Sequence, residues 1–432
     1  MITARSLNIK DLIIDTPEEG LFAYHRSAMT SPEILELEKQ KIFQKCWLYL
    51  GHESEVTKPG DFVRRDLAGQ PLFFVRSRQT GKINVFYNAC THRGATICRQ
   101  ETGTVRTLQC FYHSWTFNTD GELVGVPDEE SYGGVWDKKN WGLKSPRAEN
   151  YRGFLFVTFN PDAEDLITYL AGAREYLDYV MDGPEAVAEL FGIPEGGLEL
   201  LRGTHSYAIK ANWKLLAENS IDGYHVGPVH ETYMQYLRDA GVQTGGGIKG
   251  GEGKDLGNGH GVMQSVAPWG RPIAQWIPTF GEACKPDLER MHDYLLKKFG
   301  EERGRTMADL GRNLLVFPNL VINDIMGITV RTFHPLAPDY MEVTQKELAP
   351  KGERADLRAL RLDSYLSFLG PGGFASPDDT EALESCQQGF QAKQVEWTNM
   401  SRGLHHHPPT YTDEHHMRAF WRGWYRRMTA EE

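Results

Sequence analysis

Two short segments combine thiols with imidazoles: Cys90-Thr91-His92 and Cys110-Phe111-Tyr112-His113, separated by the seventeen residues Arg93 to Gln109. Two loops that each offer one thiolate and one imidazole suit a [2Fe–2S] cluster in which one iron takes both cysteines and the other both histidines. Neutral His in place of anionic Cys raises the reduction potential of such a cluster. A structural zinc site is the competing reading, but zinc pairs usually run C-x₂₋₄-C and H-x₃₋₅-H. The mixed order therefore favours iron–sulfur. Cys98 lies outside the pattern and is expected in the core.

A second set lies between Asn212 and His230, in the string NWKLLAENSIDGYHVGPVH. His225 and His230 are five residues apart, which on an unbroken helix separates them by about 140°. Gly227-Pro228 is expected to break the helix and let both imidazoles turn to one metal ion. Glu218, Asp222 and His225 follow an i, i+4, i+7 spacing, so Asp222 is expected to touch His225 and fix its tautomer. A ferrous site of two histidines and one carboxylate needs one more acid and leaves positions open for dioxygen. Asp378 and Asp379 are available downstream in GPGGFASPDDTEALE. Ser376-Pro377 before them also reads as a helix start, which alone would account for both acids. His405-His406-His407 and His415-His416 carry no spaced acid or thiol and are expected on an exposed polar tail.

The elements that must position these residues fall into two groups. Ser31-Pro32-Glu33 opens a helix with a cap, a first-position proline and an acid at the dipole. From Trp47 to Phe159 short apolar runs predict a small all-β unit, with strands over 61–67, 72–75, 83–87, 107–111 and 154–159. Asn160-Pro161 closes it, and a helix follows with Gly183 as its stop. Beyond that, strands are predicted over 198–210, 313–317, 320–333 and 341–348 in an antiparallel sheet, and helices over 213–225, 357–369 and 378–391. The fold class is α+β, with residues 1–46 joining 160–432 as one domain and 47–159 forming the other. Gly245 to Gly251 reads as a mobile rim, because it lacks the spacing of a phosphate loop.

CTHRG followed by CFYHSW resembles the Rieske motif of ring-hydroxylating oxygenase large subunits, and the Asn212–His230 string is similar to the ferrous-site motif of the same family. The resemblance covers most of the chain and is weakest over residues 235–310. Ser114 stands where those subunits usually have glycine. The resemblance implies Cys90, His92, Cys110 and His113 as Rieske [2Fe–2S] ligands. It also implies His225, His230 and Asp379 as ligands of a mononuclear Fe(II), choosing Asp379 over Asp378. Asn219 and Asp222 fall in its catalytic machinery, and Asn219, Ser220, Val226, Leu369 and Ala375 match pocket positions. In that family the subunits form trimers, because cluster and iron within one chain are too far apart. The acid matching Asp222 joins an iron histidine to a cluster histidine across the interface, here His225 and His113.

The implied reaction is cis-dihydroxylation of an aromatic ring with O2. Ser220 and Ala375, where relatives acting on hydrocarbons often carry bulkier groups, point to a ring bearing a carboxylate. Arg331 on the predicted strand 320–333 either pairs with that carboxylate or is a surface strand residue. Monohydroxylation by the same machinery, and an electron-transfer or scaffold subunit with an empty iron site, are the alternatives. The glycines of Gly245 to Gly250 have no predicted strand feeding them, so no GxGxxG fingerprint of a nicotinamide or flavin fold is found, and electrons must come from a separate NAD(P)H reductase, with or without a ferredoxin. A small β subunit in an α3β3 assembly is a further implied partner.

Composition narrows the setting. The 432 residues allow two domains with sizeable cores, and the formal charge of −11 argues against nucleic acid. Six irregularly spaced cysteines do not form a secreted disulfide framework. The first thirty residues read as neither a signal nor a transit peptide, and no run approaches the roughly 20 apolar residues of a membrane span. The expected location is the cytoplasm.

Overall fold

The computed structural model describes residues 8–193, 196–243, 249–266 and 269–431. The chain divides into two compact units, residues 43–166 and residues 1–42 with 167–432.

The 43–166 unit is all β. One sheet runs in the order Ile83–Tyr87, Gln70–Arg76, Asp61–Leu67, Thr102–Thr104, and a second in the order Arg147–Tyr151, Phe154–Thr158, Leu48–His52. Every pairing is antiparallel. Ala68 and Gly69 both take positive φ between the first hairpin's strands, the backbone a two-residue turn needs to follow the strand twist. A short ladder of Leu108–Gln109, Thr116–Phe117 and Leu123–Gly125 completes the unit. Phe62, Phe73, Phe86, Leu108 and Phe117 form its core together with Cys98, as expected of that cysteine.

The larger unit is built on an antiparallel sheet of eight strands. Its order is Leu198–Leu200, Tyr340–Pro350, Ile328–Ala337, Leu320–Asp324, Leu310–Val316, Gly261–Val266, Lys249–Asp255, and His205–Ile209 also pairs with Tyr340–Pro350. Helix Trp213–Asn219 is anchored by its first residues. Asn212 caps it by accepting from Lys214 N. The carboxylate of Glu38 accepts from Trp213 Nε1 at 2.7 Å, Lys214 Nζ at 2.6 Å and Trp424 Nε1 at 2.7 Å. Glu38 and Lys214 are fully buried. A buried charge pair of this kind gives register more than net stability, and breaking it strands a charge at a cost of about 3–5 kcal/mol.

Several expectations need correction. The helix meant to stop at Gly183 runs Ala173–Leu190, because Gly183 is a packing position whose added Cβ would meet Ile273 at 3.1 Å. The predicted strand 320–333 is two strands, Leu320–Asp324 and Ile328–Ala337, joined by a turn at Ile325-Met326-Gly327. Gly203, at φ +105°, splits the strand predicted over 198–210. Two strands, Lys249–Asp255 and Gly261–Val266, and two helices, Lys285–Phe299 and Glu301–Asp309, occupy a region without predicted elements. The mobile rim expected over Gly245 to Gly251 falls mostly outside the described residues, and its last residues lie in the strand Lys249–Asp255. His416 is no exposed tail residue. It is buried in the helix His415–Thr429 and faces Ile221 O, whereas His405 to His407 are exposed.

Candidate metal centre

In the β unit the two Cys/His loops share one backbone plan. Gly94 N donates to Cys90 O at 2.8 Å and Cys90 N to Ala95 O at 2.8 Å; Ser114 N donates to Cys110 O at 3.0 Å and Cys110 N to Trp115 O at 2.8 Å. Gly94 takes φ +74° and Ser114, at the equivalent position, φ +57°. The serine departure therefore leaves the turn intact, at the cost of a left-handed non-glycine residue, about 1 kcal/mol. The turns bring the imidazoles of His92 and His113 to 4.6 Å between ring centroids, and His92 stacks on Trp115 at 4.8 Å. Cys90 and Cys110 are buried while both histidines are half-buried. Burial, together with the neighbouring Cys110 thiol, pushes the Cys90 thiol upward. His92 Nδ1 is buried without a hydrogen-bond partner. An orphaned ring nitrogen beside a second imidazole and two thiols is a donor set that fits a cluster with two thiolate and two imidazole ligands.

In the larger unit the helix carrying Glu218 ends at Asn219, five residues from Ser220 to Tyr224 follow, and His225 opens the short helix Val226–Val229. The break expected at Gly227-Pro228 thus comes earlier, because proline in a first helical turn loses no hydrogen bond. Glu218 and His225 do not share a helix face. Glu218 instead accepts from Trp421 Nε1 at 2.6 Å, while the turn still sets Asp222 Oδ2 3.1 Å from His225 Nδ1.

The helix Ala375–Gly389 supplies the acid. Ser376 does not cap it; its hydroxyl donates to Leu369 O at 2.9 Å. Asp379 Oδ1 lies 3.4 Å from His225 Nε2 and 3.4 Å from His230 Nε2. One donor atom from each of the three residues lies within 4.8 Å of the others. Asp378 stands on the far side of His230, its Oδ2 3.6 Å from Nδ1. The structure therefore places Asp379, not Asp378, between the imidazoles. Asn219 Nδ2 donates to Asp379 Oδ1 at 3.1 Å.

Electrostatics in this cluster favour one positive charge. Burial pulls His225 down, but hydrogen bonds to Asp222 and Asp379 overcome it and hold its pKa near 10. Burial pushes Asp379 up, yet both histidines bring it below the ordinary range. His230 is lowered, since burial and the charge of His225 outweigh Asp379. Two imidazoles and a carboxylate that converge in this way match a 2-His-1-carboxylate site for ferrous iron.

The trio sits in the wall of a cavity. Asn219, Ser220, Val226, Leu369 and Ala375 all line it. The sequence reading missed Trp269, Phe368, Tyr411, Ile325 of the turn after Asp324, and the sheet face made by Met263, Ser265, Asn313 and Asn323. The signal for that face was a two-residue alternation that puts polar side chains on one side of otherwise apolar strands. A second cavity on the other side of Asp222 and His225 is lined by Tyr24, Glu218, Cys386 and Met400.

The sequence pattern described as Ring hydroxylating alpha subunit (catalytic domain) matches residues 199–431, and that of the Rieske [2Fe-2S] domain matches residues 46–146. The chain belongs to the ring-hydroxylating alpha-subunit family. This alpha subunit is a Rieske non-heme iron oxygenase, and its cofactors are a Rieske [2Fe–2S] cluster and a mononuclear iron. It is 36% identical to the toluate 1,2-dioxygenase subunit alpha of Pseudomonas putida, over 92% of this chain and 85% of that one. It is 33% identical to the anthranilate 1,2-dioxygenase large subunit of Acinetobacter baylyi, over 94% and 86%. Naphthalene 1,2-dioxygenase from Rhodococcus sp., solved with indole bound, superposes with a TM-score of 0.81 at 28% identity, covering 95% of each chain. Among the described residues no helix is long and apolar enough to cross a membrane.

Proposed function

We propose that this alpha subunit cis-dihydroxylates the ring of an aromatic carboxylate with O2. The observation that carries the reading is the convergence of His225, His230 and Asp379 at the wall of one cavity. The relatives named for toluate and anthranilate support the carboxylate. His225, His230 and Asp379 would hold the iron, and Cys90, His92, Cys110 and His113 the cluster, in a domain spanning residues 47–159. When bound, the cluster supplies electrons one at a time and the ferrous ion activates dioxygen beside the ring. The chain's own residues prepare the place. Asp222 takes the Nδ1 proton of His225 into a hydrogen bond and so leaves Nε2 free to ligate. Asn219 steadies Asp379 through its donated hydrogen bond. Val226, Trp269, Phe368 and Leu369 hold an apolar ring and exclude water.

Electrons reach this subunit from an NAD(P)H reductase, directly or through a ferredoxin. The active assembly is a trimer, with or without a small β subunit, in which the cluster of one copy serves the iron of the next and Asp222 stands at the junction. It works in the cytoplasm. The test is turnover of aromatic acids and neutral aromatics by the purified enzyme with an added reductase under ¹⁸O₂. Two labelled hydroxyls in one cis-diol are expected. One labelled hydroxyl would assign monohydroxylation instead, and no turnover with iron absent beyond the cluster would assign an electron-transfer subunit.

A further inference from the structure

Five arginines are buried among the described residues: Arg271, Arg312, Arg331, Arg361 and Arg418. Four have evident partners. Arg271 and Arg312 hold Asp324 at 3.1 and 2.9 Å, Arg361 holds Glu353 at 2.7 Å, and Arg418 donates to two backbone carbonyls at 2.8 Å. Arg331 is 3% exposed, and its Nε is buried without an acceptor. No hydrogen bond or ion pair joins it to another described residue. A guanidinium keeps its charge at any ordinary pH, and burying it unpaired is among the costliest placements a side chain can have.

Its surroundings give it no partner within the fold. The register sets Arg331 between Val321 and Gln345 on the neighbouring strands. Gln345 is taken up by Tyr207, Tyr365 and Leu369 O. Glu347, the acid diagonal to Arg331 on the same face, accepts from Ile328 N at 2.9 Å and is drawn electrostatically to Arg361. What Arg331 does face is the cavity that holds His225, His230 and Asp379. Both acids of that wall, Asp222 and Asp379, are already engaged by histidine.

We infer that Arg331 is the anchor for the substrate's carboxylate and thereby the residue that selects aromatic acids over neutral aromatics. The inference rests on the proposed reaction and names the group that gives it its substrate class. A planar fork of donors matches a carboxylate in a two-bond geometry that a neutral amide or methyl group cannot reproduce. With the carboxylate held at the sheet, the apolar side chains Val226, Trp269, Ile325 and Phe368 are left to contact the ring.

The experiment compares wild type, Arg331→Met and Arg331→Lys as purified holoenzyme, measuring binding of benzoate, benzamide and toluene by calorimetry and the melting temperature with and without benzoate. Arg331→Met is expected to weaken benzoate binding about 10- to 100-fold, the range for a lost charge-assisted contact, and to weaken benzamide and toluene binding by less than about 3-fold, because neither ligand carries the charge that this contact needs. Without ligand the Met variant is expected to melt higher than wild type, because an unpaired buried charge has been removed. Benzoate should raise the melting temperature of wild type and not that of the variant. Arg331→Lys keeps the charge without the fork and should fall between the two. Benzoate affinity unchanged in Arg331→Met, equal loss for benzoate and benzamide, or a lower ligand-free melting temperature would each overturn the inference and make Arg331 a structural residue. If wild type dihydroxylates neutral aromatics and neither binds nor turns over aromatic acids, the proposed substrate class fails along with it.

Discussion

Asp222 Oδ2 lies 3.1 Å from His225 Nδ1, on the opposite side of the imidazole from Asp379, whose Oδ1 is 3.4 Å from Nε2. The ring is held between two carboxylates, one that would share a metal with it and one that would not. Asp222 also lines both cavities that flank this wall.

That position separates two roles in one substitution. Asp222→Asn keeps the size of the side chain and a hydrogen bond but loses the charge, so with ferrous ion supplied in excess both metal sites should still fill. Turnover should fall by at least about 100-fold, at the upper end for residues behind a metal ligand. Iron content, the visible spectrum of the cluster and the rate of cluster oxidation by O2 in the presence of substrate check it. Turnover near the wild-type rate would remove Asp222 from the electron path.

Asp378 and Asp379 offer a sharper comparison, because they are adjacent and chemically identical. Asp379→Asn should lose the mononuclear iron while keeping the cluster. Asp378→Asn should retain the iron but bind it about 10- to 100-fold more weakly, the usual effect of removing a group behind a ligand histidine. Competition for ferrous ion against a chelator measures both. Equal iron loss in the two variants would mean that the 3.6 Å approach of Asp378 to His230 is a coordination role.

The sequence made the donor sets legible and left their supports unread. Spacing alone paired Cys90 with His92 and Cys110 with His113, since both loops are local. Asp379 could not be distinguished from Asp378 by local rules, because which one turns inward depends on where the helix Ala375–Gly389 begins. The helix begins at Ala375, one residue before Ser376, whose hydroxyl goes to Leu369 O instead of capping. Asn212-Trp213-Lys214 looked like part of the iron motif, yet its work is to seat the helix on Glu38, 176 residues before Lys214. For Arg331 the sequence left two readings open, a partner for the substrate carboxylate or a surface strand residue, and its burial at the cavity decides against the second. That burial depends on the strands paired on either side of it, which bring Val321 and Gln345 alongside, a neighbourhood that no periodicity reveals.

Ser114 tests how tightly the cluster loop is specified. At φ +57° a serine pays a conformational penalty that glycine does not, partly offset by the greater freedom of glycine in the unfolded chain. Ser114→Gly should keep the cluster and raise stability by up to about 1 kcal/mol. Ser114→Val, with a branched Cβ in the same region, should lose cluster loading. Denaturant midpoints and absorbance in the visible separate the two.

His260 provides a pH-dependent check on the core. Its Nε2 donates to Tyr169 O at 2.7 Å and its Nδ1 accepts from Phe317 N at 2.9 Å. Burial holds its pKa near 3, against 6.5 for the free group. Between pH 6.5 and 3 the unfolded chain therefore binds a proton that the folded chain refuses. Stability from this residue is complete above pH 6.5 and is lost on acidification by about 1.4 kcal/mol per pH unit. Glu218 and Glu347, both raised by burial to about 8, run the other way, losing their contribution as pH rises from 4.5 through 8. The wild-type profile alone would mix these slopes. The difference between wild type and His260→Asn isolates the histidine, so the destabilisation caused by the substitution should be greatest at pH 7 and shrink by about 1.4 kcal/mol for each unit below 6.5. Urea unfolding at half-unit intervals from pH 5 to 7.5 measures it, and a pH-independent difference would show that His260 titrates in the fold as it does in water.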